Sequence, residues 1–207
     1  MIVAIESAST DVSIALADPD GTLRQVDGWS AGQRQPHELT PRIIALLDTD
    51  GGSLADVTAL AVGIGPGSFT GLREGMSVAK GLAVVLERPI VGIPSLPAWL
   101  ESEPAAAAAV ARAGARDAYL LRRGAASPEI ADRDALAGVP GPVVAPAELI
   151  EAFELADAIQ PLRAAAAVAR QAVLRLRGDP TGDDLARLEP AYLRAPRGVA
   201  QAAAGGS

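Results

Sequence analysis

The sequence predicts an α/β fold, and two observations predict it. Three short apolar runs open the chain with only turn residues between them, as consecutive antiparallel strands require. From residue 36 to 93, helix-spaced apolar stripes then alternate with continuous apolar runs, the pattern of helices alternating with buried strands. The resulting order is βββαβαβ.

Residues 2–7 and 12–18 are the first two strands, separated by the small and polar Ala8-Ser9-Thr10-Asp11. Pro19-Asp20-Gly21 is a strong turn signal, and residues 22–29 follow as a third, more polar strand. Pro36 opens a helix on which Leu39, Ile43, Leu46 and Leu47 take the i, i+4, i+7, i+8 spacing of an apolar stripe; Thr49-Asp50-Gly51-Gly52 closes it. Residues 57–64 read as a strand buried on both faces. A glycine-rich turn leads into a helix over 71–87 and a strand over 89–93. This order is that of one actin-like (ribonuclease H-like) domain, assigned to residues 1–100.

The second half is less patterned. The alanine run at 105–112 is helical by local propensity, and equally a hairpin of 107–111 and 117–122 turning at Ala113-Gly114-Ala115. Pro128 and the 140–146 stretch mark loops, helices are expected at 146–159 and 162–177, and the small, polar residues 201–207 read as a disordered tail.

Composition limits the function. With 49% hydrophobic and 21% charged residues, the 207-residue chain is globular and long enough to bury a sizeable core. A net charge of −7 and only 3% aromatic residues argue against gripping RNA alone, which needs a basic face and rings for stacking. The absence of cysteine removes disulfide scaffolds, thiolate zinc sites and cysteine nucleophiles. The first residues lack a basic segment and reach Glu6 early, and no uncharged apolar run is long enough to span a bilayer. No membrane association is expected, and a cytoplasmic location is.

The most informative segment is Gly63-Ile64-Gly65-Pro66-Gly67-Ser68-Phe69-Thr70-Gly71-Leu72-Arg73-Glu74-Gly75. It offers a sharp turn, hydroxyls on Ser68 and Thr70 to cap a helix, and free amides that could hold an anion. It is neither a P-loop nor a dinucleotide fingerprint, because the lysine is missing and the glycine spacing is wrong. Along the helix, Gly71, Gly75, Ala79 and Ala83 recur every four residues and make one smooth side that admits a close backbone. One side of the helix can cover the sheet, and the rest, interrupted only by Arg73, Glu74 and Lys80, needs a second neighbour: the 39–47 helix, a helix of another chain, or both.

The run Gly65-Pro66-Gly67-Ser68-Phe69-Thr70-Gly71-Leu72-Arg73 resembles the GPGSFTGLR signature of the TsaB (YeaZ) family. Residues 2–9 resemble that family's opening strand, His37-Glu38-Leu39 with Pro41 its helix start, Gly92-Ile93-Pro94-Ser95-Leu96 its GVSSL, and Glu189-Pro190-Ala191-Tyr192-Leu193-Arg194 its closing P-x-Y-L-R. The likeness is dense through residue 100 and thin from 101 to 185. Residues 111–119 resemble the family's DARRGEVY hairpin, which favours the hairpin reading. The resemblance implies an actin-like ATPase fold of two lobes, with a first lobe at 1–100, a reduced second lobe at 101–195, and a disordered tail at 196–207.

It also implies a role. Members are non-catalytic partners of the paralogue TsaD, which holds metal and ATP and forms threonylcarbamoyladenosine at position 37 of tRNAs reading ANN codons. The ATPase TsaE joins them, tRNA is met only through the complex, and members alone form homodimers. Both associations use the two first-lobe helices, which nominates His37, Leu39, Ile43, Leu47, Phe69, Gly71, Leu72, Gly75, Met76, Ala79 and Ala83 as the partner interface. No cofactor or metal is expected on this chain itself.

Two enzymatic readings compete. Protease activity, an older label for relatives, needs ligands such as His-Glu-x-x-His, and the chain has a single histidine, His37. A weak actin-like ATPase or kinase needs a first-strand carboxylate and an Asp-x-Gly-x-Thr loop in the second lobe. Glu6 holds the first position, where relatives usually have Asp, and the second loop is absent from 101–207. Glu6, Ser68 and Thr70 are the candidate cofactor contacts on that reading, and Asp179-Pro180-Thr181-Gly182-Asp183 reads as a loop before a terminal helix. A homodimeric scaffold outside tRNA modification is the remaining alternative.

Overall fold

The computed structural model describes residues 1–31, 35–114 and 116–191. Strands β1 (Ile2–Glu6), β2 (Asp11–Ala17) and β3 (Leu23–Ser30) form the expected antiparallel meander. Helix α1 (Gln35–Thr49), strand β4 (Ala59–Gly63), helix α2 (Phe69–Leu86) and strand β5 (Ile90–Ile93) follow. The first sheet has the order β3-β2-β1-β4-β5, with β1, β4 and β5 parallel.

The central strands are buried on both faces, and their alternation sorts residues by size. Val3, Ile5, Ile14, Leu16, Leu60 and Val62 face α1 and α2, meeting Leu39, Ile43, Leu47, Met76, Ala79 and Ala83. Ala4, Ala15, Ala17, Ala59 and Ala61 face the other way, onto Ala165, Ala169, Ala172 and Val173 of helix α6 (Ala164–Gly178). Small residues on both sides let α6 lie close to the sheet. At its entry, a Cβ on Gly28 would come within 1.8 Å of the Leu162 carbonyl oxygen, so glycine is required there. The Ala165 amide then donates to Ser13 Oγ (3.0 Å).

The second sheet has the order β10-β9-β6-β7-β8. Its centre is the hairpin of β6 (Ala108–Arg112) and β7 (Ala118–Arg122), so the alanine run is strand and the hairpin reading holds. Strands β8 (Glu129–Ala131), β9 (Val143–Val144) and β10 (Ala158–Ile159) complete it, with helices α4 (Arg133–Ala137) and α5 (Ala147–Phe153). Helix α3 (Ser95–Ser102) connects the lobes, and Leu96, Trp99 and Leu100 share one core with Leu72, Ala109, Tyr119 and Leu121.

Three expectations are corrected. The helix expected at 146–159 stops early, because Glu154 turns left-handed (φ 55°) and the chain enters β10, which pairs parallel with β9. The division at residue 100 fails for α6, which follows the second sheet in sequence and packs across the first. The terminal helix expected beyond Asp183 is a short turn, after which Leu188 joins the first-lobe core. There, Asp183 accepts from the Gly92 amide (2.7 Å) and from Arg175, and the Ala191 amide donates to the Ile64 carbonyl (2.7 Å). Residues 192–207, including Tyr192, Leu193, Arg194 and the expected disordered tail, lie outside the described residues.

Candidate functional site

The glycine-rich segment between β4 and α2 rests on the end of β1. Gly65 takes a left-handed φ of 93°, and a Cβ on Gly67 would lie 2.1 Å from the Ala8 carbonyl oxygen. The Ser68 amide donates to that same carbonyl (2.6 Å). Ser68 caps α2 by accepting from the Gly71 amide (3.3 Å), whereas Thr70 stands exposed in the first turn.

Beneath this loop lies Glu6, wholly buried. Its Oε1 accepts from the Ala8 amide (2.8 Å) and from Ser95 Oγ (3.2 Å), and Ser95 Oγ in turn accepts from the Gly65 amide (3.0 Å). Oε2 makes no hydrogen bond, nor does the indole N–H of Trp99, which stands close to the carboxyl without meeting it in bonding geometry. Burial pushes the Glu6 carboxyl up to about 7, against the opposing pull of the Ala8 amide, Ser95 and Trp99. Of the candidate cofactor contacts, Glu6 is therefore sealed by the chain's own loop and Ser68 is committed to the helix cap. Among the described residues no cluster of three or more His, Asp or Glu side chains could hold a metal ion, and no helix is long and apolar enough to cross a membrane.

The two sides of α2 have different fates. The smooth side turns inward: a Cβ on Gly75 would meet Ser7 Oγ at 2.1 Å, and that hydroxyl donates to the Gly71 carbonyl (2.9 Å). The close neighbour anticipated for this side is thus the chain's own β1. Leu39, Ile43, Leu47, Met76, Ala79 and Ala83 lie in the core beneath the sheet, Leu72 in the core between the lobes, and Gly71 and Gly75 are buried as well. These nine are buried against the chain's own strands and helices. Phe69 remains exposed at 42%, and the His37 side chain lies outside the described atoms.

On the outward side only Phe69 is among the nominated interface residues. Phe69, Arg73, Ser77, Gly81 and Val85 recur every four residues, two positions out of step with the glycine stripe and so on the opposite side of the helix. Val84 and Val85 are 59% and 79% exposed, nothing lies within 4 Å of where a Gly81 Cβ would be, and the Arg73 guanidinium covers the Phe69 ring at 3.7 Å. An open groove lined by Val84, Arg88, Pro89, Thr181 and Asp183 continues this side past the end of the helix. The Val84-Val85 pair at the end of an amphipathic helix was the available signal.

Further along the β1–β2 turn, buried Asp11 accepts from Ser30 and from the Ala147 amide (2.8 Å), while Thr10 donates to Glu148. Burial and the neighbouring Glu148 raise the Asp11 carboxyl above its ordinary value, with Ser30 and Ala147 pulling the other way. These contacts tie the β1–β2 turn to the second lobe.

Comparison with known proteins places the arrangement. A family profile described as TsaD, tRNA N6-adenosine threonylcarbamoyltransferase, matches residues 31–140, more than half of the chain. The Escherichia coli K12 tRNA threonylcarbamoyladenosine biosynthesis protein TsaB is 42% identical over 99 residues, 46% of this chain and 40% of that protein. A tRNA N6-adenosine threonylcarbamoyltransferase of Solidesulfovibrio magneticus is 40% identical over 70 residues, 34% of this chain and 19% of its own length. The matched parts are thus less than half the length of either relative. The structure of YeaZ from Pseudomonas aeruginosa superposes with a TM-score of 0.68 at 24% identity, covering 93% of this chain and 99% of that one, so the two share one fold. The chain therefore belongs to the family described as TsaD, and its sequence is also similar to TsaB proteins.

Proposed function

We propose that the chain is a non-catalytic partner subunit in the formation of threonylcarbamoyladenosine at position 37 of tRNAs reading ANN codons. It works beside a TsaD-type transferase, which supplies metal and ATP, and a TsaE-type ATPase; tRNA is met through the complex. The observation that carries this reading is the outward side of α2, where Phe69, Val84 and Val85 stand exposed on a helix whose other side is fixed to β1. A large apolar pair at 59% and 79% exposure on a well-anchored helix suits a docking face. In the absence of the transferase the same face serves a homodimer. The full burial of Glu6 against Gly63 favours a supporting role over nucleotide turnover, since a carboxyl that organises phosphates must reach them.

The test is threonylcarbamoylation of tRNA by the transferase and ATPase supplied with threonylcarbamoyl-adenylate. Product that depends on adding this chain upholds the reading, with Val85→Asp expected to abolish the dependence. Equal product with and without the chain, using a transferase proven active, overturns it and leaves a homodimeric scaffold.

A further inference from the structure

The second lobe is joined to the first by two chain crossings, residues 103–107 after α3 and 160–163 before α6. It also shares an apolar core in which Ala8 and Leu72 meet Ala109, Tyr119, Leu121 and Val144. Apolar contact is non-directional, so this core holds the lobes together without choosing the angle between them. A set of directional bonds does choose it. Asp11, 1% exposed, receives Ser30 Oγ at Oδ1 and the Ala147 amide at Oδ2 (2.8 Å), and Thr10 donates to the Glu148 carboxylate. Ala147 and Glu148 open helix α5 of the second lobe. We propose that the β1–β2 turn is a latch: Thr10 and Asp11 hold the start of α5 and fix the second lobe at one angle to the first, so that the two lobes move as one body. The proposal stands apart from the docking reading of α2.

Both sides of the joint are built for it. On the first-lobe side the turn is braced before it meets α5. The Asp11 amide donates to Ser9 Oγ (3.1 Å), the Ser9 hydroxyl donates to the Asp11 carbonyl (2.9 Å), and the Ala31 amide donates to the Thr10 carbonyl (2.8 Å). Together with Ser30, these bonds tie the turn to the end of β3. On the second-lobe side, α5 has no cap of its own. Its N-cap is Pro146, which makes no side-chain capping bond, and the Ala147 amide at the first helical position is met from the other lobe by Asp11. Asp11 and Glu148 repel each other across the joint, and the donors Ser30, Ala147 and Thr10 offset that repulsion. A small rotation of the lobe stretches the bonds to Asp11 and Glu148 before water can replace them, and a buried carboxylate short of a donor is disfavoured. The joint therefore resists small rotations, which the apolar core by itself permits.

The chain has no cysteine, so Asp48→Cys on α1 and Ser127→Cys between β7 and β8, both exposed positions, place one spin label on each lobe. The full labelled chain is diluted with unlabelled chain, and double electron–electron resonance then reads distances within one molecule. Ala147→Pro removes the N–H that Asp11 accepts, at a helix position that proline suits. Thr10→Val removes the hydroxyl that meets Glu148 and keeps the side chain's shape. The parent is expected to give one narrow distance distribution, Ala147→Pro a distribution roughly twofold wider or more, and Thr10→Val a smaller broadening. An Ala147→Pro width equal to the parent's overturns the latch, as does a parent that is already broad. Fraying of α5 alone leaves the Ser127 label in place and therefore counts as the parent's width. If circular dichroism shows Ala147→Pro unfolded, Thr10→Val decides: broadening upholds the latch, and the parent's width ends it.

Discussion

Gly75 and Gly81 occupy one helix and meet opposite surroundings. A Cβ at Gly75 would strike Ser7 Oγ at 2.1 Å, with Ile5 also in contact, whereas at Gly81 it would meet nothing within 4 Å. The first glycine is required by close approach to β1. The second lies on the exposed side, between Ser77 and Val85, where glycine lowers helix stability and packs against nothing in this chain. The inward side is thus made by shape, with no slack, and the outward side stands open.

Substitutions on the two sides break this comparison in order of size. Gly75→Leu inserts a side chain where even one carbon collides, and is expected to cost about 3 kcal/mol or more in urea unfolding. A fold of unchanged stability would mean that α2 does not lie on β1 as described. Next is the pH dependence set by Glu6 beneath the inward side. Its folded value lies above the ordinary 4.5, so its stabilisation is fully present below about 4.5 and is lost as pH rises through about 7. The shift corresponds to up to about 3 kcal/mol, lost by pH 8 in the parent and absent in Glu6→Gln. Denaturant midpoints of the two proteins across that range check it; parallel curves would count against a buried, unpaired carboxyl.

On the outward side, Val85→Asp is expected to leave stability within about 0.5 kcal/mol and to weaken transferase binding at least tenfold. Calorimetric titration alongside thermal unfolding separates the two effects. The smallest change is Gly81→Ala, which adds a methyl in open space and should stabilise the helix by up to about 1 kcal/mol, raising Tm by roughly 3 °C. Destabilisation by that alanine would show that the outward side is already covered in the isolated chain, as in a homodimer.

The first lobe was legible because its signals are local. Pro19-Asp20-Gly21 and the Ala8–Asp11 turn delimit strands whose hydrophobic runs leave little choice. The second sheet was not, because β9 and β10 are only two residues each and show no period. Helix α3 went unseen behind Pro94 and Pro97, and the early stop of α5 depends on a left-handed Glu154 that no local residue announces. The site was legible as a segment, while which neighbour meets each side of α2 was not. A stripe of Gly71, Gly75, Ala79 and Ala83 says that some backbone comes close, and sequence spacing does not say whose. The burial of Glu6 depended on Ser95 and Gly63, which lie far along the chain and meet it only in the fold.

The alanine layer between the first sheet and α6 has a consequence of its own. Ala4, Ala15, Ala17, Ala59 and Ala61 meet Ala165, Ala169 and Ala172 across it. Each buries less area than a leucine would, so the hydrophobic gain per residue is small. But alanine has no rotamers to freeze, and ordering such a layer loses almost no side-chain entropy. The two faces of one sheet are therefore stabilised by different means, by buried area under α1 and α2 and by a low ordering cost under α6. The alanine side should accordingly repack little on warming, because it holds few side-chain states to release.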